Sequence, residues 1–456
     1  MLRPILLVLA VLALALPASA HAAQNPMPAV HADQWEQAAA DAAGYADPVA
    51  AKLVTYYRLL APGQASAEEI AAFMAANPDW PNQAVLERRR QEAIAAAADD
   101  DVVLGPCTHS RITVPAALAR CATALAKSDG ADAVADARAA WVGGYADPAG
   151  EAAFLKQWSA DFTPADEWAR FQHFAWSDAT AAAHQVPRLA PAMRSAAKAR
   201  LALIQGAPDA LALAQALPAA ARGDPGLVLD EARWLRRGKR DADALTLWQQ
   251  RGEAAERASG THLPAFWKER AILARELLKD GDNNGAYAMA DDRLVSSASD
   301  IADAGFLAGF IALRRLDDAT RATAQFQRVA DASRAAISQG RAHYWLGRAA
   351  AAAGRDPHAE YEQAAAYPTT FYGQLAARAL GRDPAALIRS ARDPAFTRDQ
   401  AWAFTAHELV RAAAILVAWG EPGRARAFLL RMNDVAPSPV EQALCARLAL
   451  ALEMPD

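Results

Sequence analysis

The chain has 456 residues and a formal net charge of −5, with acidic and basic residues interspersed. That length exceeds what one compact core serves, so several packed units or an extended array are expected. No basic block marks a nucleic-acid surface or an anchor for anionic lipid, and alanine dominates while β-branched residues are sparse, which favours helix throughout.

The N-terminus opens with Arg3, an apolar run from Ile5 to Leu16, and the small-residue stretch Pro17-Ala18-Ser19-Ala20. This order predicts a secretory signal over residues 1–20. A retained membrane anchor is the alternative, but the run is short for a span and polar residues follow at once. The expectation is an exported, periplasmic protein with no membrane contact after cleavage.

A helical pattern carrying Trp35, Leu53, Tyr56, Tyr57 and Leu60 runs from Asp33 to the stop at Pro62-Gly63. Ser66 with Glu69 forms a capping box, in which hydroxyl and carboxylate each satisfy a backbone N–H. That helix ends at Asn77-Pro78-Asp79-Trp80-Pro81, and Val85, Leu86 and Ile94 continue the apolar face. Arg88, Arg89 and Arg90 read as a solvated helix surface. Asp99, Asp100 and Asp101 read as a solvated loop, because a hard-cation site wants a glycine turn and a distal glutamate, and Val102-Val103-Leu104 follows.

Export makes the cysteines informative, since an oxidising compartment permits disulfides. Cys107 and Cys121 flank a stretch whose closure adds roughly 3 kcal/mol; two separate buried thiols are the other reading. Cys445 has no partner evident in the sequence, and one beyond residue 456 or on another molecule is the expectation.

The segments Pro115–Ala126, Asp129–Val142, Pro148–Ser159 and Pro164–Trp176 carry Trp141, Phe154, Leu155, Trp158, Phe162, Trp168, Phe171 and Trp176. Such a run can be a sugar platform, but at helical spacing it reads as core. From Pro191 onward helix pairs are clear. Leu229–Arg237 breaks at Gly238 before Ala244, Leu247 and Trp248, and Phe266–Leu278 breaks at Gly281–Gly285. Phe306, Phe310 and Leu313 sit at i, i+4 and i+7, and Ala322, Phe326 and Val329 repeat that spacing. Then Tyr344-Trp345-Leu346-Gly347-Arg348 leads to a break at Gly354–Pro357, a second helix to Tyr367-Pro368, and a third capped by Thr369 or Thr370 with Phe371, Leu375 and Ala379 on one face.

These hairpins bury their apolar sides only by stacking on neighbours, so the pattern predicts an all-α fold, a right-handed helical-hairpin superhelix (an α-solenoid, curved or ring-like). The superhelical domain is placed at 28–385. Residues 382–398, with two Asp-Pro steps, form a boundary, and 399–456 reads as the start of a helical linker domain. There Ala401–Trp419, Arg424–Met432 and Val440–Leu452 are the expected helices, the last leaving Leu444, Leu448, Leu450 and Leu452 unfinished.

No CxxC, HExxH, GxSxG, GxxxxGK[ST] or GxGxxG occurs. His407-Glu408 begins like a zinc motif, but Arg411 stands at the second histidine position. His358, Glu360 and Glu362 gather near a turn and read as surface groups. No catalytic residue, cofactor-binding residue or metal ligand is nominated, and no cofactor is expected.

Five blocks in order resemble the N-terminal superhelical part of the soluble lytic murein transglycosylases. They are Asn77–Pro81 with Leu86–Arg89, Leu229–Arg237, Phe266–Arg270 with Ala274–Leu278, Phe306–Arg314, and the stretch from Arg341 ending Pro368–Gly373. Phe266 stands where a second Trp is usual, and Gly305 where Glu is usual. The resemblance implies cleavage of the MurNAc–GlcNAc bond in peptidoglycan with formation of a 1,6-anhydro product, carried by a C-terminal module with a Glu-Ser pair. No Glu-Ser pair occurs here, so whether the chain is itself an enzyme stays open. It further implies glycan strands and other cell-wall enzymes as partners. A self-sufficient periplasmic helical-repeat binding protein is the alternative.

Overall fold

The computed structural model describes residues 24–146, 150–390, 394–436 and 438–454. The expected signal at 1–20 lies outside them. Among the described residues the fold is all-α, an array of helical hairpins without strands. No single described helix is long and apolar enough to cross a membrane.

The chain divides into two compact units, one built from Met1–Phe162 with Arg392–Asp456 and the other from Thr163–Ala391. This corrects the reading of 28–385 as one domain and of 399–456 as the start of a separate one. The boundary expected at 382–398 does hold a unit border, but residues beyond it return to the N-terminal helices. They return because their apolar faces match. Phe404, Leu409, Leu416, Phe428, Met432, Leu444 and Leu448 share one core with Leu53, Tyr56, Leu59, Ile70 and Trp80.

In that first unit, Phe428 packs edge-on to Trp80 and Tyr56, with ring centroids 5.3 and 5.6 Å apart. Leu444 and Leu448 are buried and Leu452 packs against the same core; of the four leucines expected to be unfinished, only Leu450 is exposed, at 63%. Cys445 is buried as a free thiol and its Sγ donates to Leu429 O at 3.4 Å. Cys107 and Cys121 are joined by a disulfide with Cα atoms 5.5 Å apart. It ties the helix Asp100–His109 to Pro115–Leu125.

Several local readings change. The pattern from Asp33 to Leu60 is two helices, Trp35–Ala43 and Val49–Leu60, because Gly44 and Pro48 interrupt it. The aspartate run is a helix start: the Asp99 side chain caps the Asp101 N–H, and Asp100 pairs with Arg120 at 2.8 Å. Arg90 is buried and bonds both carboxylate oxygens of Glu87, so it is no solvated group. The segment expected as Ala401–Trp419 is two helices, Arg398–Ala406 and Glu408–Ala418, since the His407 side chain caps the second. Thr370 caps Phe371–Ala379, yet the buried face there is Gly373, Ala376 and Ala377; Phe371 and Ala379 point to solvent.

In the second unit, successive helices pack on one another from Pro164–Ser177 to Pro384–Ser390. Small residues allow the close approach. A Cβ on Gly305 would lie 2.9 Å from Val329 Cγ2, and one on Gly309 2.5 Å from Phe326 Cε1. Gly305, the departure from the family pattern, is thus a packing position in this chain. Phe266, the other departure, is fully buried.

This unit also buries charge. Arg200 donates to Asp230 at 2.9 Å, Arg236 to Glu269 at 2.5 Å, and Arg251 through Nη2 to both Glu231 oxygens at 3.0 and 2.9 Å. The partners of each pair lie 20 to 33 residues apart, on different elements of the array. Burial raises the Asp230 and Glu231 carboxyls, opposed by their arginines.

Candidate functional site: an aromatic array

The first aromatic run is core, as its spacing suggests. Trp141, Phe154, Trp158 and Phe171 are buried, and Trp141 stacks on Phe162 at 5.4 Å. A second set of rings lies on three other helices. Phe306 and Phe310 on Ala298–Arg315, Trp345 on Ala336–Ala352 and Tyr372 on Phe371–Ala379 are partly buried, as Phe162 and Trp168 are in the first run, and Phe306, Trp345 and Tyr372 pack against core residues.

These rings form one continuous array. Phe310 lies 5.4 Å from Trp345, Phe306 6.0 Å from Trp345 and 6.5 Å from Tyr372, and Tyr372 5.2 Å from Phe371. Phe371 ends the array at 67% exposure, and Ile337 stands 69% exposed at the start of the neighbouring helix. The two helix starts meet because residue 340 is glycine: a Cβ there would sit 2.8 Å from Thr370 Oγ1. Phe371 is the open end of an otherwise largely buried array, and an exposed ring continuous with others is where an apolar ligand face would first make contact.

Two arginines frame the rings. The Arg341 guanidinium lies 4.5 Å from the Phe306 ring centre, and Arg348 lies 5.9 and 5.8 Å from Tyr344 and Trp345. Arg348 Nη1 donates to Tyr344 Oη at 3.1 Å, which fixes its direction. Cation–π contact holds both heads near the rings, with one Arg348 N–H taken by Tyr344 and the Arg341 Nε enclosed.

A sheltered carboxyl also exists, and it is not a catalytic acid. Glu256 and Asp292 are both 0% exposed and hydrogen-bond each other beside Arg270, whose Nη1 donates to Glu256 at 2.7 Å. Burial, with Asp292 adding to it and Arg270 opposing it, pushes Glu256 up to about 8. A raised acid suits glycan chemistry only where substrate reaches it. Here no sugar can. Two open depressions of about 530 and 450 Å³ meet at Gln250 and Arg251, beside a π-helical turn. Most of their charges are paired, Arg251 with Glu231, Arg240 with Asp243 and Arg257 with Glu253, while Arg222, which lines the second, forms no ion pair among the described residues.

The residues weighed from sequence fall at the surface. His358 pairs weakly with Glu362 at 3.7 Å, Glu362 bonds Arg382, and Glu360 pairs with His343 at 2.8 Å. No group of three or more potential metal ligands gathers among the described residues. Sequence reading did not single out the face formed by Phe306, Phe310, Trp345, Tyr372 and Phe371. Its members repeat at helical spacing and are largely buried; only Phe371 is exposed. Phe371, placed after the Thr370 cap, was the signal available. Comparison with protein-family models and with curated proteins gives no match.

Proposed function

We propose that this chain is the scaffold portion of an exported, periplasmic peptidoglycan-remodelling protein of the soluble lytic transglycosylase type. Its helical array holds glycan strands for a module that cleaves the MurNAc–GlcNAc bond with formation of 1,6-anhydromuramic acid. The observation that supports this reading most is the aromatic face itself. It is composed of two of the blocks that carry the family resemblance, Phe306–Arg314 and the stretch beginning at Arg341. Ring faces stack on the C–H faces of sugars as they do on other apolar surfaces, and the neighbouring arginines add polar selectivity. The buried acid pair offers no accessible catalytic carboxyl, in keeping with a scaffold role.

The second reading, a helical-repeat binding protein that acts without a joined catalytic module, has one observation in its favour. Leu444 and Leu448 on the last helix are covered rather than open. The test is incubation of the full chain with purified sacculi. Co-sedimentation without release of anhydromuropeptides is expected. Release of such products would refute the scaffold reading, and absence of sedimentation would refute glycan binding. An in-frame Glu-Ser module downstream of codon 456 would decide for the transglycosylase over the binding protein.

A further inference from the structure

We infer that Glu256 and Asp292 share one proton as a latch, which fastens the connector 291–297 to the helix Glu253–Arg257 and releases it when the proton is lost. The inference goes beyond the glycan reading and does not depend on it. It stands on a cluster in the second unit where three elements meet: Glu253–Arg257, Leu263–Lys279 and the connector that leads into Ala298–Arg315.

The hydrogen bonds of the cluster leave one place to fill. Glu256 Oε2 accepts from Arg270 Nη1 at 2.7 Å, and Asp292 Oδ1 accepts from the Leu294 and Val295 N–H groups at 2.8 and 3.3 Å. The second oxygen of each acid, Glu256 Oε1 and Asp292 Oδ2, is enclosed and receives no hydrogen bond from any N–H or O–H. Asp292 Oδ2 stands 3.8 Å from Arg270 Nε, whose N–H goes instead to Met289 O at 3.0 Å. Ionised carboxylates only accept, so the bond between these two acids needs a proton on one of them.

The charges around the pair favour that proton. Arg328, reaching in from Ala319–Ala332, has an enclosed Nη1 without a hydrogen bond. Burial holds its guanidinium below the ordinary range, with Arg293 and Arg270 adding to this and Asp291 and Asp292 opposing it. Asp291 is occupied by Arg293 at 2.5 Å and by Gln325 Nε2 at 2.8 Å. On Pro225–Arg237, which packs against Glu253–Arg257, Asp230 and Glu231 are taken by Arg200 and Arg251, and Glu253 pairs with Arg257 at the surface. Arg270 is thus the guanidinium bonded to the pair. Two buried carboxylates beside it would leave one charge uncompensated in low dielectric, and a retained proton avoids that.

When hydroxide takes the proton, water forms and two carboxylates remain. They repel, their mutual bond is lost, and the turn capped by Asp292 comes away from Glu253–Arg257. Arg270 still holds the Ala288 and Met289 carbonyls, so the opening is confined to the connector. Glu256 sits at about 8 when the latch is closed and returns toward 4.5 when it opens, so closure weakens as pH rises between those values and levels off above them.

The experiment follows amide exchange in the full chain from about pH 6 to about pH 9, expressed as protection factors so that the intrinsic pH dependence of exchange cancels. Protection at 292–297 should fall about tenfold or more, since each pH unit in which only the open form has lost the proton contributes about tenfold. Val49–Leu60 should stay level. Glu256→Gln supplies a permanent N–H in place of the proton, and Asp292→Asn keeps an oxygen for Leu294 and Val295 while donating to Glu256. Protection at 292–297 should therefore be flat with pH in both variants. Infrared spectroscopy reads the proton itself: near pH 7 the parent should show a protonated-carboxyl C=O band that is reduced in either variant. A parent connector whose protection ignores pH would overturn the latch, whether or not the variants fold. A fall in Glu256→Gln equal to the parent's, or an infrared band unchanged in both variants, would overturn the shared proton.

Discussion

The two units solve the same problem by different means. The first joins segments from opposite ends of the chain, Val49–Leu60 against Glu408–Ala418, through aromatic and aliphatic side chains, and adds a disulfide. The second is continuous in sequence, and its helices are pinned by buried ion pairs such as Arg200–Asp230 and Arg236–Glu269. An apolar core tolerates shifts in register as long as volume is kept. A buried pair does not, because one lost partner strands a charge in low dielectric. Most of the buried charged pairs lie in the second unit, and Arg90 with Glu87 is one in the first. Small, similar side chains specify register poorly, and a charged pair at fixed positions supplies what they lack.

Removing Arg270 should break the second unit hardest. Arg270→Ala leaves Glu256 and Asp292 together without their cation, and a loss of roughly 3–5 kcal/mol is expected. Amide exchange should accelerate in Leu263–Lys279 and Ala298–Arg315 while Val49–Leu60 keeps its protection. Equal acceleration in both units would show that they unfold as one. The counterpart in the first unit is Phe428→Ala, which empties the space between Trp80 and Tyr56 and should cost about 3–4 kcal/mol. Its exchange signature should be the mirror image, with Val49–Leu60 and Glu408–Ala418 affected together despite their distance in sequence.

Cys107→Ser with Cys121→Ser should lower stability by about 3 kcal/mol if the cross-link acts through the unfolded chain. Protection should fall in Asp100–His109 and Pro115–Leu125 only. A reductant should reproduce the effect in the parent protein and leave the double variant unchanged.

The pH response should separate the units more gently. Glu256 holds its proton up to about 8 in the folded chain, against 4.5 ordinarily. Between those values the folded state binds more protons than the unfolded one, so its contribution weakens as pH rises through that window and levels off above it. Glu256→Gln should flatten this slope in the melting of the second unit. An unchanged slope would mean that another group carries it. The smallest effect belongs to Arg431→Ala, which removes an exposed contact to Asp79 at 3.5 Å. A change below about 1 kcal/mol is expected.

Helix identity, many of the caps and the hairpin rhythm were legible because they depend on neighbours within one turn. Ser66 with Glu69, Thr370 and the glycine breaks act locally, and the alanine-rich composition leaves little competition from strands. The aromatic run around Trp141 was legible as core for the same reason. The exposure of Phe371 was not, since a position after a helix cap can face the core or solvent with the same spacing. Arg90 and Arg270 likewise look like surface residues until their acids are located.

The sequence alone determined that this protein is helical and arranged in hairpins, because periodicity, capping and breaking are properties of contiguous residues. Only the tertiary structure decided that the last helices share a core with the first, that charged pairs are buried, and that Phe371 stands exposed at the end of a row of rings. Those outcomes depend on which surfaces meet across hundreds of residues, and a one-dimensional pattern does not carry that distance.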